Sequence, residues 1–256
     1  MKKKISAFIF RHIIVPLVRA AFPKYQLKNV ENIPKEPCIL VGNHSQMHGP
    51  VAAELYMPRP RYTWCAGEMM NKDEVVEYAY RDFWSQKPAW THWFFKILAH
   101  LIKPIALCIF NNAATLQVYH DVRVIDTYRL SMERLQEGSH IIIFPEKDEK
   151  YNHILYEFQD KFVDLARFYY RKYKVELDFV PFYLAPKLKT LTFGQPIHFH
   201  HETPIDEERK RIIQEIKDQI TSIAESQPLH TVIPYRNIPK HLYPKNIVSQ
   251  GAKKQK

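Results

Sequence analysis

The sequence is short of cysteine. It holds three, Cys38, Cys65 and Cys108, an odd number with no C-x-x-C spacing. This argues against a disulfide framework and predicts reduced thiols in a cytosolic compartment, each filling an apolar position. Glycine is also scarce, at six residues, and no segment repeats. Acidic side chains are outnumbered: 27 Asp and Glu face 37 Lys and Arg, a net charge of +10. Such an excess favours anionic partners, and charge alone does not choose between phosphates, lipid surfaces and nucleic acid. No recognised nucleic-acid module accompanies it, so no nucleic-acid partner is expected. An uninterrupted apolar run is missing from the N-terminus as well. Arg11, His12, Pro16 and Arg19 break the stretch that reaches Phe22, whereas a spanning helix needs about 20 mostly uncharged residues.

What is present suits one α/β domain with a small N-terminal appendage. The chain has 256 residues, 46% of them apolar, and chains of this size bury roughly three quarters of their unfolded surface. The opening MKKKISAFIFRHIIVPLVRAAFPK predicts an amphipathic helix lying in a membrane interface, its cations reaching lipid headgroups. The alternative is a helix capping the core. Residues 1–30 are expected as this membrane-contacting segment, 31–240 as the α/β domain, and 241–256 as a basic, unstructured tail. Between Phe83 and Lys96, aromatics including Trp84, Trp90 and Trp93 mix with histidines and lysines. They suit a headgroup boundary, the wall of an acyl groove, or an aromatic core patch.

Strands alternating with helices predict a mostly parallel central sheet flanked by helices. Cys38 to Val41 reads as a buried strand stopping at Gly42-Asn43, and His140 to Phe144 as another broken by Pro145. Ile105 to Phe110 is a further apolar run, ending at Asn111-Asn112. Ile125, Tyr128, Met132 and Leu135 share one helical face. Glu176 to Leu184 and Leu188 to Phe193 read as strands. A last helix carries a stripe of Ile212, Ile213, Ile216, Ile220 and Ile223, with Thr203 as its cap. Two polar clusters follow strand ends, Asn43-His44-Ser45 and Glu146-Lys147-Asp148. In an open parallel sheet the carboxyl ends of strands share one edge, where ligands bind. His44 and Glu146 are therefore expected on the same side, about a hundred residues apart along the chain.

At these residues the sequence resembles the glycerolipid acyltransferases of the lysophosphatidic acid acyltransferase type. That family shows N-H-x-x-x-x-D after an apolar strand, matched by Asn43-His44-Ser45-Gln46-Met47-His48-Gly49 in all but its last position. It then shows an apolar strand into F-P-E-G, matched by Phe144-Pro145-Glu146. A V-P-x-x strand is matched by Val180-Pro181-Phe182-Tyr183, and G-x-P-I by Gly194-Gln195-Pro196-Ile197. The four matches occur in order over residues 38–200. Each is weak by itself; in sequence, at strand boundaries, they are more specific.

The resemblance implies an O-acyltransferase of phospholipid biosynthesis without a cofactor or metal. It implies an acyl group moving from acyl-CoA or acyl carrier protein to a lysophospholipid or lipid-like alcohol. Work at an anionic membrane is implied too, peripherally on the inner face of the cell membrane. His44 matches the family's general base, and Asn43, Ser45, Glu146 and Lys147 fall at substrate-binding positions. The motif aspartate, which fixes the imidazole tautomer and stabilises the imidazolium, is replaced by Gly49. Either His48, one helical turn on, or Glu54, or an acid from elsewhere supports His44, or the chain is a non-catalytic lipid-binding relative. Lys147 stands where the family has glycine, and Lys147 or Lys150 would supply charge for an acceptor phosphate in place of the family's arginine. Arg123 lies near the family's second motif but out of register. A zinc site on His44 and His48 lacks the H-E-x-x-H glutamate, which is Ser45 here, and a third ligand.

Overall fold

The computed structural model describes residues 2–85 and 87–247. In chain order the helices are α1 (Lys2–Ile9), α2 (Val15–Ala21), α3 (His48–Tyr56), α4 (Val75–Trp84), α5 (His92–Phe110), α6 (Val124–Gln136), α7 (Asp164–Tyr173) and α8 (Ile205–Ser226). The strands are β1 (Gln26–Lys28), β2 (Ile39–Gly42), β3 (Arg61–Ala66), β4 (Thr115–Val118), β5 (His140–Ile143), β6 (Glu146–Tyr151), β7 (Tyr156–Phe158), β8 (Asp178–Ala185), β9 (Thr190–Phe193) and β10 (Ile197–His198). The chain divides into two compact units. Residues 1–23 group with 62–130, and residues 24–61 with the chain from Ser131 onward. The N-terminal helices thus share a unit with the segment that holds the tryptophans.

The second unit carries the sheet that positions the site, with strands in the order β1-β9-β8-β2-β5 and β10 against β8. β2 runs parallel to both β5 and β8, placing Val41 opposite Ile143 and Pro181. β1 and β9 are parallel, while β8 and β9 form an antiparallel hairpin. This is the expected α/β class with a mostly parallel sheet. All four residues of β2 and of β5 are buried, because a parallel strand is covered on both faces and reads as a continuous apolar run. α8 packs on β8 through Ile212, Ile216, Ile220 and Ala224. Each buried isoleucine contributes roughly 1.5–3 kcal/mol. The helix starts at Ile205 with Pro204 as its cap residue and no side-chain cap, so Thr203 does not cap it. Glu208, fully buried, instead accepts the His200 N–H at 2.7 Å and pairs with Arg211.

The first unit contains the parallel pair β3–β4, with α4 packed on α5 around Met69, Val75, Ala79 and Ala106. The run Ile105 to Phe110 is not a strand. It forms the last turns of α5, which continues through Pro104. Ser6 ties α1 to the end of α5, accepting from Asn112 at 2.7 Å and lying 3.5 Å from the Cys108 sulfur. α6 contributes residues to each unit. Its buried residues are Thr127, Ser131 and Leu135, whereas Ile125 is exposed. At the C-terminus Asn246 is buried, and residues 248–256 of the expected tail lie outside the described residues.

Candidate functional site

β2 has to end in glycine. A Cβ on Gly42 would lie inside the Phe182 ring that crosses it from β8. The next residue, Asn43, is buried and serves as a rivet. Its Oδ1 accepts the Leu184 N–H at 2.7 Å, and its Nδ2 donates to the Leu184 carbonyl at 3.0 Å and to Ser45 Oγ at 2.7 Å. Asn43 is committed to Ser45 and to the end of β8. Ser45 and Gln46 then take left-handed backbone, φ 45° and 55°, a conformation that costs non-glycine residues about 1–2 kcal/mol each. Backbone bonds from His48 to Ser45 and from Gly49 to His44 close the loop into α3.

Glu146 holds this loop in place. It follows β5 and is buried, and its two oxygens each accept a main-chain N–H, from His44 at 2.8 Å and from Tyr156 at 2.9 Å. Burial pushes its carboxyl up to about 7, the two N–H bonds opposing only part of that shift. The sequence expectation that His44 and Glu146 meet at one sheet edge is realised through the backbone: the carboxylate grips the main chain of the histidine. The ring of His44 makes T-shaped contacts with two aromatic rings, Phe144 at 5.4 Å and 66° and Tyr235 at 5.3 Å and 70°. Its Nδ1 is buried with no hydrogen-bond partner among the described residues. Burial lowers the ring's pKa to about 4.

No carboxylate among the described residues bonds that ring. Glu54 pairs with Arg59 at 3.2 Å and with the buried Arg61 at 3.3 Å. His48 does not hold His44 either; its Nδ1 lies 3.4 Å from the Tyr25 hydroxyl, and burial followed by the charge of Lys187 lowers its pKa. At Gly49 a Cβ would collide with the His44 carbonyl oxygen and sit 2.9 Å from Phe144 Cε1, so the loop has closed over the space an aspartate needs. Lys147 is paired with Glu149 at 2.8 Å. In the other unit, Arg123 bonds Asp121 at 2.7 Å and Glu74 at 3.2 Å, and its guanidinium lies 3.5 Å above the Tyr119 ring. Among the described residues no three His, Cys, Asp or Glu side chains come together in a way that could hold a metal ion. Sequence reasoning missed Tyr235, Arg236 and Tyr243, which belong to a loop after α8 that carries no motif.

No protein-family model and no curated protein matches the chain. A solved structure does resemble it. The crystal structure of the 1-acyl-sn-glycerophosphate (LPA) acyltransferase PlsC from Thermotoga maritima aligns with a TM-score of 0.46 at 16% sequence identity, covering 87% of this chain and 83% of that one.

Proposed function

We propose that this chain is an O-acyltransferase that moves a fatty acyl group from acyl-CoA or acyl carrier protein to a lysophospholipid or similar lipid alcohol, with His44 as general base. The observation that carries the reading is the Glu146 clamp on the main chain of His44. Two residues of separate motifs meet at the carboxyl ends of neighbouring parallel strands, where such sheets bind ligands. The His44 ring is neutral at cytosolic pH, as a base must be. In the reaction the acceptor hydroxyl oxygen attacks the thioester carbonyl while its proton passes to the imidazole. The tetrahedral intermediate then expels the donor's sulfur, which takes that proton and leaves as a free thiol. Asn43, Ser45 and Glu146 shape the loop, and in this reading Lys147, which pairs with Glu149, supplies charge for an anionic headgroup.

The weak point of this base is charge. Forming an imidazolium where the pKa has fallen from 6.5 to about 4 costs roughly 3 kcal/mol more than in water. A second reading, a lipid-binding relative without transfer activity, is favoured by the absence of room for a carboxylate at Gly49. Thiol release from acyl-CoA and acyl carrier protein, with a panel of lysophospholipids, separates the two. The first reading expects slow turnover that disappears in His44→Ala. Undiminished turnover in that variant removes the proposed base, and a parent inactive with every donor selects the second reading.

We also place the protein on the cytoplasmic face of the cell membrane. Ile5, Phe8, Ile13 and Leu17 of the N-terminal helices are exposed, as are Trp93, Phe94, Ile97, Leu101 and Ile105 of α5. Ala89–Phe110 is a helical stretch of 22 residues, long and apolar enough to cross a membrane, yet only 11% of its most apolar window is buried. Lys96 and Lys103 on α5, with Arg11 and Arg19 in the N-terminal stretch, suit anionic headgroups beside an apolar face.

A further inference from the structure

The chain after α8 contributes a structure that no motif covers. Thr231 bridges antiparallel to Lys245, and the Val232 N–H donates to the Pro244 carbonyl at 2.9 Å. Below this neck the buried Asn246 accepts the His230 N–H at 2.8 Å and donates to the carbonyls of Ala224 at 2.8 Å and Gln227 at 3.1 Å. Residues 232–244 therefore form a loop with joined ends, of the Ω type. The body of this loop rests on the site. Tyr243 Oη accepts from Gln46 Nε2 at 2.9 Å, and Arg236 lies 3.4 Å from Asp148 on β6. Tyr235 meets the His44 ring at 5.3 Å and Tyr156 at 6.3 Å, both edge-on.

We propose that Tyr235 is a positioning residue for His44, its ring and that of Phe144 holding the imidazole through two T-shaped contacts in the role a hydrogen-bonded carboxylate fills elsewhere. A base needs a fixed ring orientation as well as a counter-charge, and these are separable. Aromatic rings prefer edge-to-face geometry at such distances, so two T-shaped contacts resist rotation of the imidazole without supplying charge. The loop is pinned at its neck and again at Gln46, two residues from His44, which keeps Tyr235 in register with the ring. Around the imidazole, Glu146 acts through the main chain, the backbones of Gln46 and of His44 itself favour the charged ring against the larger effect of burial, Asp148 and Arg236 pair with each other, and Tyr156 packs on Tyr235. The same packing excludes water from Nδ1, which agrees with the lowered pKa of His44.

This inference rests on His44 being the base, and its test is chosen to stand apart from turnover. The His44 imidazole is titrated by NMR in the full chain, its resonances assigned by their loss in His44→Gln. Tyr235→Phe keeps the ring edge and should reproduce the parent titration near pH 4. Tyr235→Ala admits water, and the midpoint should move up toward 6.5 with a changed tautomer ratio. Where transfer is measurable, kcat should fall about tenfold in the alanine variant with KM little changed, and Tyr235→Phe should restore it. If alanine costs the fold, Tyr235→Leu keeps apolar volume without a ring edge and should still change the tautomer ratio. An alanine or leucine variant that folds and gives the parent titration and tautomer ratio overturns the proposal. Inactivity of the parent sinks the acyl-transfer reading alone, because the titration still decides whether Tyr235 holds the ring.

Discussion

Glu146 accepts the main-chain N–H of His44 at 2.8 Å, while the imidazole Nδ1 has no hydrogen-bond partner among the described residues. The acid sits beside the imidazole and spends its oxygens on the backbone. Both side chains are nevertheless shifted strongly by burial, and in opposite senses.

Those shifts predict two pH dependences that mask one another. The folded pKa of Glu146 lies near 7, above its ordinary 4.5. Its contribution to stability is present below pH 4.5 and is lost as pH rises through 7. The folded pKa of His44 lies near 4, below its ordinary 6.5. Its contribution is present above pH 6.5 and is lost as pH falls through 4. Each amounts to roughly 3 kcal/mol over its range. Between pH 4.5 and 6.5 the two therefore offset one another, on top of the rise contributed by His48, His140 and His230, whose pKa values burial also lowers. Relative to the parent in urea unfolding, His44→Ala should tilt the profile downward with rising pH there, and Glu146→Gln should tilt it upward. Parallel profiles for the two variants would rule out this coupling.

Placing the acyltransferase-motif aspartate at position 49 should fail. The Cβ of Gly49→Asp meets a carbonyl oxygen of the same loop and the Phe144 ring, and backbone cannot yield as a flexible side chain can. Gly49→Ala should already cost about 1–3 kcal/mol, the usual range for overpacking, and Gly49→Asp should lower thermal stability further with no gain in thiol release. A Gly49→Asp protein of parental stability and higher turnover would show that the loop opens.

The exposed faces of the N-terminal helices and α5 predict membrane binding that one polar residue weakens. Trp93 and Leu101 are each about two thirds exposed, so Trp93→Ser and Leu101→Ser should leave unfolding unchanged. Each removes an apolar contact of roughly 1.5–3 kcal/mol from a bilayer, lowering partition onto anionic vesicles about tenfold or more. Added salt should weaken adsorption further, since exposed charges are screened. Cosedimentation with vesicles measures both effects, and equal binding by parent and variants would count against this face.

Part of this protein was legible without coordinates. β2, β5 and β8 are continuous apolar runs ended by glycine, proline or a turn, and the α8 stripe repeats with the helical period. These are local patterns, and each sets which face of its element is buried whatever lies opposite. The meeting of His44 and Glu146 followed from parallel strands alone, because their carboxyl ends share an edge. Tertiary structure decided the chemistry around them. Glu54 belongs to Arg61 and not to His44, Gly49 is walled by Phe144, and Ile105 to Phe110 is helical because it continues α5 past Pro104. Tyr235 reaches His44 through a loop pinned by Asn246. A side chain's partner depends on which distant backbone arrives beside it, and hydrogen bonding and steric fit change over fractions of an ångström. Periodicity in the sequence carries the faces of the elements but not those distances.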